Sequence, residues 1–220
     1  MVAGRQRDAT IQAEDRMGTY VQHGCGLCAP EGWLNFDASP TLRIQKIPLI
    51  GRALGWVRFP AGARYGDIRK GLPLPGGSAD AVYCSHVLEH LALEDCRLAL
   101  RQTFALLRPG GVFRLVLPDI RFEAESYLRS TDPSAAVRFM HLTMGRATRP
   151  RGFRETVRGW LGNSEHQWMW DFESLAVELT AAGFTSIRRA QFGDSDDPMF
   201  RLVEDPERWV NALGMQCAKP

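Results

Sequence analysis

Residues 72–90 read LPLPGGSADAVYCSHVLEH, and residues 107–119 read LRPGGVFRLVLPD. In the first phrase a short apolar strand at 81–84 follows Asp80 and runs into the polar cluster Ser85-His86-Val87-Leu88-Glu89-His90. In the second, an apolar strand at 112–117 follows a Pro-Gly-Gly stop and ends in Pro118-Asp119. Between them Cys96, Leu100, Phe104 and Leu107 recur every three or four residues, so a helix there carries one apolar face. Strand, helix and strand of these lengths make a βαβ unit, with parallel strands and a right-handed crossover. Ligands of such sheets bind beyond the carboxyl ends of the strands, and both polar clusters fall at those ends. An α/β fold is expected, with its site around Ser85, His86 and Asp119.

Upstream, 19–23 (TYVQH) reads as another short strand, leading into Gly24-Cys25-Gly26. Two glycines after a strand let backbone N–H groups approach a ligand, because no Cβ intervenes. The stretch 33–37 (WLNFD) is a further strand, ending in Asp37, a carboxylate able to accept hydrogen bonds from two ribose hydroxyls. Residues 24–29 also fit the dinucleotide fingerprint G-x-G-x-x-A, whose acid lies about 20 residues on, beyond a whole helix. Asp37 follows Gly26 by only eleven residues, and Pro30 and Gly32 interrupt them. No normal helix fits, so the pyrophosphate-binding helix N-terminus of NAD(P) proteins is missing. Cys25-x-x-Cys28 has no second CxxC or His pair to complete a zinc site, and it opens no clear helix as a redox motif would. Residues 38–63 are broken by proline and glycine, with Ile44, Ile47, Ile50 and Leu54 fitting a short helix that covers the sheet. Residues 64–68 (RYGDI) read as a third strand end.

His86-Val87-Leu88-Glu89-His90 spells H-x-x-E-H, an inverted zinc-protease motif. Zinc needs a third ligand and a helical frame that brings both imidazoles to one face. The motif straddles a strand-to-helix junction and no third ligand is evident, so no metal is expected. Glu89 and His90 are expected instead to fix the start of the following helix by hydrogen bonds.

In order, the phrases Leu72-Pro73-Leu74-Pro75, Asp80, Ser85 to His90, Leu107-Arg108-Pro109-Gly110-Gly111 and Leu117-Pro118-Asp119 resemble those of the class I methyltransferases that use S-adenosylmethionine (SAM), in particular the type 11 group. The resemblance covers roughly residues 20–122 and loosens beyond. It implies a Rossmann-like, seven-stranded, mostly parallel sheet with helices on both faces and one antiparallel strand, forming a single domain at 18–220 after a tail at 1–17. SAM is the implied cofactor. Its amino-acid end would lie on the glycine turn, beside His23, Gly24, Cys25 and Gly26. Asp37 would hold the ribose, Asp67 and Ile68 the adenine, and Ser85 and His86 would border the methyl group and substrate. Gln22 stands where the class often carries an acid.

Beyond Asp119, Asp132 reads as an N-cap with Pro133 at the first helical position, opening a helix with Val137, Met140 and His141. The next stretch, 145–160 (GRATRPRGFRETVRGW), holds Arg146, Arg149, Arg151, Arg154 and Arg158 against a single acid, Glu155. His166-Gln167-Trp168-Met169-Trp170 precedes Asp171, an N-cap for a helix bearing Leu175 and Leu179 that Gly183 ends. A similar His-x-Trp/Met-x-Asp phrase occurs in related sequences. Residues 132–170 are expected to form a substrate lid, contacting substrate through His141, Arg146, Arg149 and Trp168. Guanidinium groups there suit bidentate recognition of phosphate or carboxylate. His86, Asp119 and His166 are the candidate catalytic residues. Strands at 185–192 and 214–218 complete the sheet.

A net charge of +2 over 220 residues gives no reason to expect nucleic acid as partner. The N-terminus lacks the apolar core of a signal peptide, and the most apolar stretch, 47–63, is broken by Arg52 and Arg58 and too short to span a bilayer. Five cysteines, an odd number without framework spacing, suit reduced thiols in the cytoplasm. The expectation is a cytoplasmic methyltransferase, monomer or homodimer, that O-methylates a small molecule such as a saccharide or secondary metabolite. The alternative is a SAM-binding module that no longer catalyses. A nucleic-acid methyltransferase would use the arginine stretch, but an appended RNA-binding domain and an N/D-P-P-Y/F motif are lacking.

Overall fold

The computed structural model describes residues 18–45, 47, 58–145 and 165–220. Seven strands form one sheet: β1 (Tyr20–His23), β2 (Trp33–Asp37), β3 (Ala63–Tyr65), β4 (Ala79–Ser85), β5 (Leu107–Pro118), β6 (Thr185–Ala190) and β7 (Ala212–Ala218). Their order is β3-β2-β1-β4-β5-β7-β6, and only β7 runs antiparallel to its neighbours. This is the seven-stranded, mostly parallel sheet that the resemblance implies. The chain builds outward from β1 to β3, then returns to lay β4 on the other side of β1. That reversal opens a crevice at the carboxyl ends of β1 and β4.

Alternation along the strands sets the two faces. Val82 and Cys84 of β4, with Phe113, Leu115 and Leu117 of β5, point into the larger core. Their partners there come from α2 (Leu93–Leu106) and α5 (Phe172–Ala181). Ala81, Tyr83 and Val116 point to the opposite face, where Phe200 and Val203 cover them from the excursion between β6 and β7. The other helices among the described residues are α1 (Pro40–Gln45), α3 (Ile120–Arg129), α4 (Ala135–Met144) and α6 (Pro206–Trp209). Asp171 caps α5 as its sequence suggests, accepting from Ser174 N, and its own N–H donates back to the Ser174 hydroxyl.

In three places the structure departs from the local sequence signals. Pro109-Gly110-Gly111 does not stop the helix outside the sheet. α2 already ends at Leu106, and the triplet loops out within β5, between the pairings Ala79–Leu107 and Ala81–Val112. Glu89 and His90 do not secure the start of α2, which begins at Leu93 after Ala92 with no side-chain cap. They form a separate 3-10 turn, Leu88–His90. α4 begins at Ala135, two residues after Pro133, with Ser134 at the N-cap and the Asp132 carboxylate accepting from the N–H and hydroxyl of Ser134. The tail at 1–17, the positions Ile50 and Leu54, and all five arginines of 145–160 lie outside the described residues.

One charged residue sits inside the sheet. Arg114, in the middle of β5, is wholly buried. Its guanidinium donates to Glu204, to Asp194 at 2.7 Å, to Gln216 and to the Gln191 carbonyl at 2.6 Å, and it lies 4.7 Å over the Trp209 ring. These partners all belong to β7 or to the excursion between β6 and β7, so one side chain ties that excursion to the centre of the sheet.

Candidate functional site

The crevice is a cleft of about 590 Å³. Of the residues expected to hold a cofactor, His23, Gly24, Gly26, Asp37, Asp67, Ile68 and Ser85 line it. Cys25 does not. Its side chain packs with Leu42, Phe59 and Ala63 behind the turn, and burial pushes its thiol up to about 12. A reactive Cys25-Cys28 pair would need a depressed thiol, so the redox reading loses its basis.

The glycine turn is shaped by two different demands. Gly24 and Gly26 both adopt positive φ, 69° and 53°. A Cβ on Gly24 would come within 2.1 Å of Val87, so the turn packs tightly on the chain leaving β4. A Cβ on Gly26 would meet nothing within 4 Å, because this backbone borders open cleft. The Gly26 N–H donates to Asp37 at 2.9 Å, and the Ser39 N–H donates to its other oxygen at 2.7 Å. The carboxylate is thus fixed at the rim, with lone pairs left over on both oxygens.

At the next strand end Asp67 caps the 3-10 turn Ile68–Lys70, and Arg69 grips both its oxygens at 2.9 and 2.8 Å. Burial works to raise this carboxyl, but the Arg69 bonds outweigh it and hold it below the usual range. Arg69 was not anticipated; its partner lies only two residues away, yet nothing in the pattern distinguishes it from a surface arginine. His23 is 1% exposed and neither ring nitrogen has a partner. Burial lowers its pKa to about 4, so the ring is neutral and offers one donor and one acceptor. An orphaned imidazole and a bare glycine turn beside a fixed carboxylate fit a ligand with both charged and hydroxyl groups, as SAM has.

Beyond β4 the cleft is bordered by His86, His90 and Gln167. His86 adopts φ 52°, a costly conformation for a non-glycine residue. Its Nε2 faces the Arg208 carbonyl at 3.0 Å and its Nδ1 faces Glu89 Oε1 at 3.2 Å. Burial works to lower the His86 pKa, but the Glu89 and Arg208 contacts raise it above the ordinary value. His166 joins this group through the backbone: Gln167 and Trp168 donate to the Glu89 carbonyl at 2.7 and 3.1 Å. Its ring then sits 5.1 Å from that of His90. Burial pushes the His166 pKa down.

The remaining predicted residues do not converge. Asp119 caps α3 by accepting from Arg121 N and faces Arg189 at 3.6 Å, outside the cleft lining. His141 is exposed on α4, and Trp168 is 43% exposed beside Trp170; neither lines the cleft. Arg146 and Arg149 lie outside the described residues. Arg208, beside the Trp209 ring that lies over Arg114, also lines the cleft and carries no signal in the sequence.

A family model described as a methyltransferase domain matches residues 19–188. No curated protein sequence matches the chain. Among solved structures, a SAM-dependent methyltransferase from Thermotoga maritima is similar at 16% identity and TM-score 0.51, over 96% of this chain and 87% of that one. A SAM-dependent methyltransferase from Mesorhizobium loti is similar at 23% identity and TM-score 0.50, over 92% of this chain and 91% of that one. At these identities the likeness speaks for the fold.

Proposed function

Since the chain belongs to the methyltransferase domain family, we propose that it methylates an oxygen of a small molecule, such as a saccharide or secondary metabolite, with SAM as cofactor. The observation that carries this reading is the order of groups along one sheet edge: Asp67, Asp37, the Gly24–Gly26 turn, then Ser85 and His86. When bound, SAM supplies a methyl group already activated on a sulfonium. Gly24 and Gly26 would hold its amino-acid end, Asp37 its ribose, and Ile68 its adenine. Asp67, committed to Arg69, would give the adenine only the lone pairs that remain.

What the protein adds is position, which in oriented reactions is worth roughly 7–11 kcal/mol. The acceptor would enter beyond β4, against His86, His90 and Gln167. A hydroxyl must lose its proton there, and the imidazoles gathered on Glu89, His166 included, are the groups within reach. Asp119, which caps α3, is given no part in this reaction. Five free thiols support a reducing, cytoplasmic setting, and among the described residues no helix is long and apolar enough to cross a membrane.

Calorimetry tests the cofactor assignment. Micromolar or tighter binding of SAM and its demethylated product is expected, with negligible binding of NADH. Tight NADH binding without SAM binding would overturn the reading. A noncatalytic module is separated by offering hydroxylated small molecules and following SAM consumption.

The lid at 132–170 is a further part of this proposal. Its support is that α4 reaches the site directly, the Met144 carbonyl accepting from His166 N at 3.1 Å. Replacing Arg146, Arg149 and Arg151 by alanine is expected to raise KM for an anionic acceptor while SAM affinity holds. An equal loss of SAM affinity would mean that the segment serves the cofactor.

A further inference from the structure

Glu89 is fully buried, and neither of its carboxylate oxygens receives a well-aligned hydrogen bond. A buried carboxylate without compensation costs several kcal/mol. What surrounds it is a set of imidazole nitrogens. Oε1 lies 3.2 Å from His86 Nδ1 and 3.8 Å from His90 Nε2. Donor atoms of Glu89, His90 and His166 all fall within 4.8 Å of one another.

The outer sides of these rings determine what the inner sides can do. His90 Nδ1 faces the Glu165 carbonyl at 3.0 Å, and His86 Nε2 faces the Arg208 carbonyl at 3.0 Å. A carbonyl only accepts, so in each ring that nitrogen carries the hydrogen, and a neutral ring turns a lone pair toward Glu89. His166 Nδ1 is buried without a partner. Lone pairs pointed at an anion repel it unless a positive charge, an added proton on a ring or a cation, lies between them. Backbone carbonyls behind imidazoles are also the usual outer support of metal-binding histidines.

We propose that Glu89, His90 and His166 bind a first-row divalent cation, with His86 available as a fourth donor. Two nitrogens and a carboxylate suit zinc, manganese, cobalt or ferrous iron better than calcium or magnesium. Donors about 2.1 Å from one ion lie about 3–3.5 Å apart, so side-chain rotations of about 1 Å complete the site. His166, 76 residues beyond His90, supplies the third ligand that the sequence lacks nearby, and His90 and Glu89 reach it from a 3-10 turn without the helical frame of a protease motif. His90 also lines the cleft, so a coordination position opens toward it. That the cation there would hold the acceptor oxygen and ease loss of its proton, in place of a free imidazole as base, rests on the methyltransferase reading; the site itself does not.

The test uses the full chain, stripped with a chelator and titrated with Zn²⁺ by calorimetry and with Co²⁺ by visible absorption. One equivalent is expected to bind. Glu89→Gln, His90→Gln and His166→Gln should each weaken binding at least tenfold, while His141→Gln and a Cys25→Ser/Cys28→Ser double variant leave it unchanged. X-ray absorption of the Co²⁺-loaded wild type should report imidazole nitrogen and oxygen ligands, a readout that survives any folding defect in a variant. No stoichiometric binding, sulfur coordination, or binding that persists in all three variants would overturn the proposal. SAM titration of the same samples keeps the two readings apart, since a chain that binds metal but not SAM sinks only the cofactor assignment.

Discussion

Arg114→Ala is expected to lower the free energy of unfolding by about 3–5 kcal/mol, the usual cost of leaving one member of a buried ion pair without the other. Glu204 would be left almost wholly enclosed, its side chain 1% exposed and held, among the described residues, only by Gly193 N, while Gln216 would lose its Arg114 donor and Asp194 would keep Arg188. For a domain of this size the loss corresponds to a fall in Tm of roughly 6–20 °C. Denaturant unfolding of the variant measures it. The double variant Arg114→Met/Glu204→Met should recover much of the stability, because apolar groups of similar volume need no partner. A loss below about 1 kcal/mol in the single variant would mean that water reaches Glu204, and that the excursion is held by Phe200 and Val203 alone.

Asp37→Ala is expected to weaken SAM binding by about 1.5–3 kcal/mol, the range for hydrogen bonds to a charged group, or about 10- to 150-fold in Kd. Two effects add. The ribose would lose its acceptor, and the Gly26 N–H would lose the carboxylate that fixes the turn. The residue is half-buried at the cleft rim, so thermal unfolding should move far less than it does for Arg114→Ala. Calorimetry with SAM, paired with a melting curve, separates the two. Unchanged affinity would remove Asp37 from the cofactor site and take the order of groups along the sheet edge with it.

What could be read in advance follows the range of the forces involved. The βαβ unit, the glycine turn and the acids at strand ends are local patterns, and they appear where 19–23, 33–37, 81–84 and 112–117 put them. The H-x-x-E-H phrase was also visible, but His166 reaches it through bonds to the Glu89 carbonyl that no spacing announces. Asp119 shows the opposite failure. A strand-end acid next to a new helix can face a ligand or cap that helix, and here the Arg121 N–H takes it. Arg114 was illegible for a further reason. In the run VFRLVL it interrupts a strand, and its partner Glu204 lies 90 residues away.

The place of β7 has a consequence for how the chain assembles. It is the last of the seven strands in sequence, yet it pairs with β5 on one side and β6 on the other. Until Ala212–Ala218 has docked, β6 has no strand to join and β5 presents an open edge carrying Phe113, Leu115 and Leu117. Such an edge is a template for pairing with other chains. Synthesis from the N-terminus therefore completes β1 to β5 well before the sheet can close, and chaperone cover is most needed in that interval.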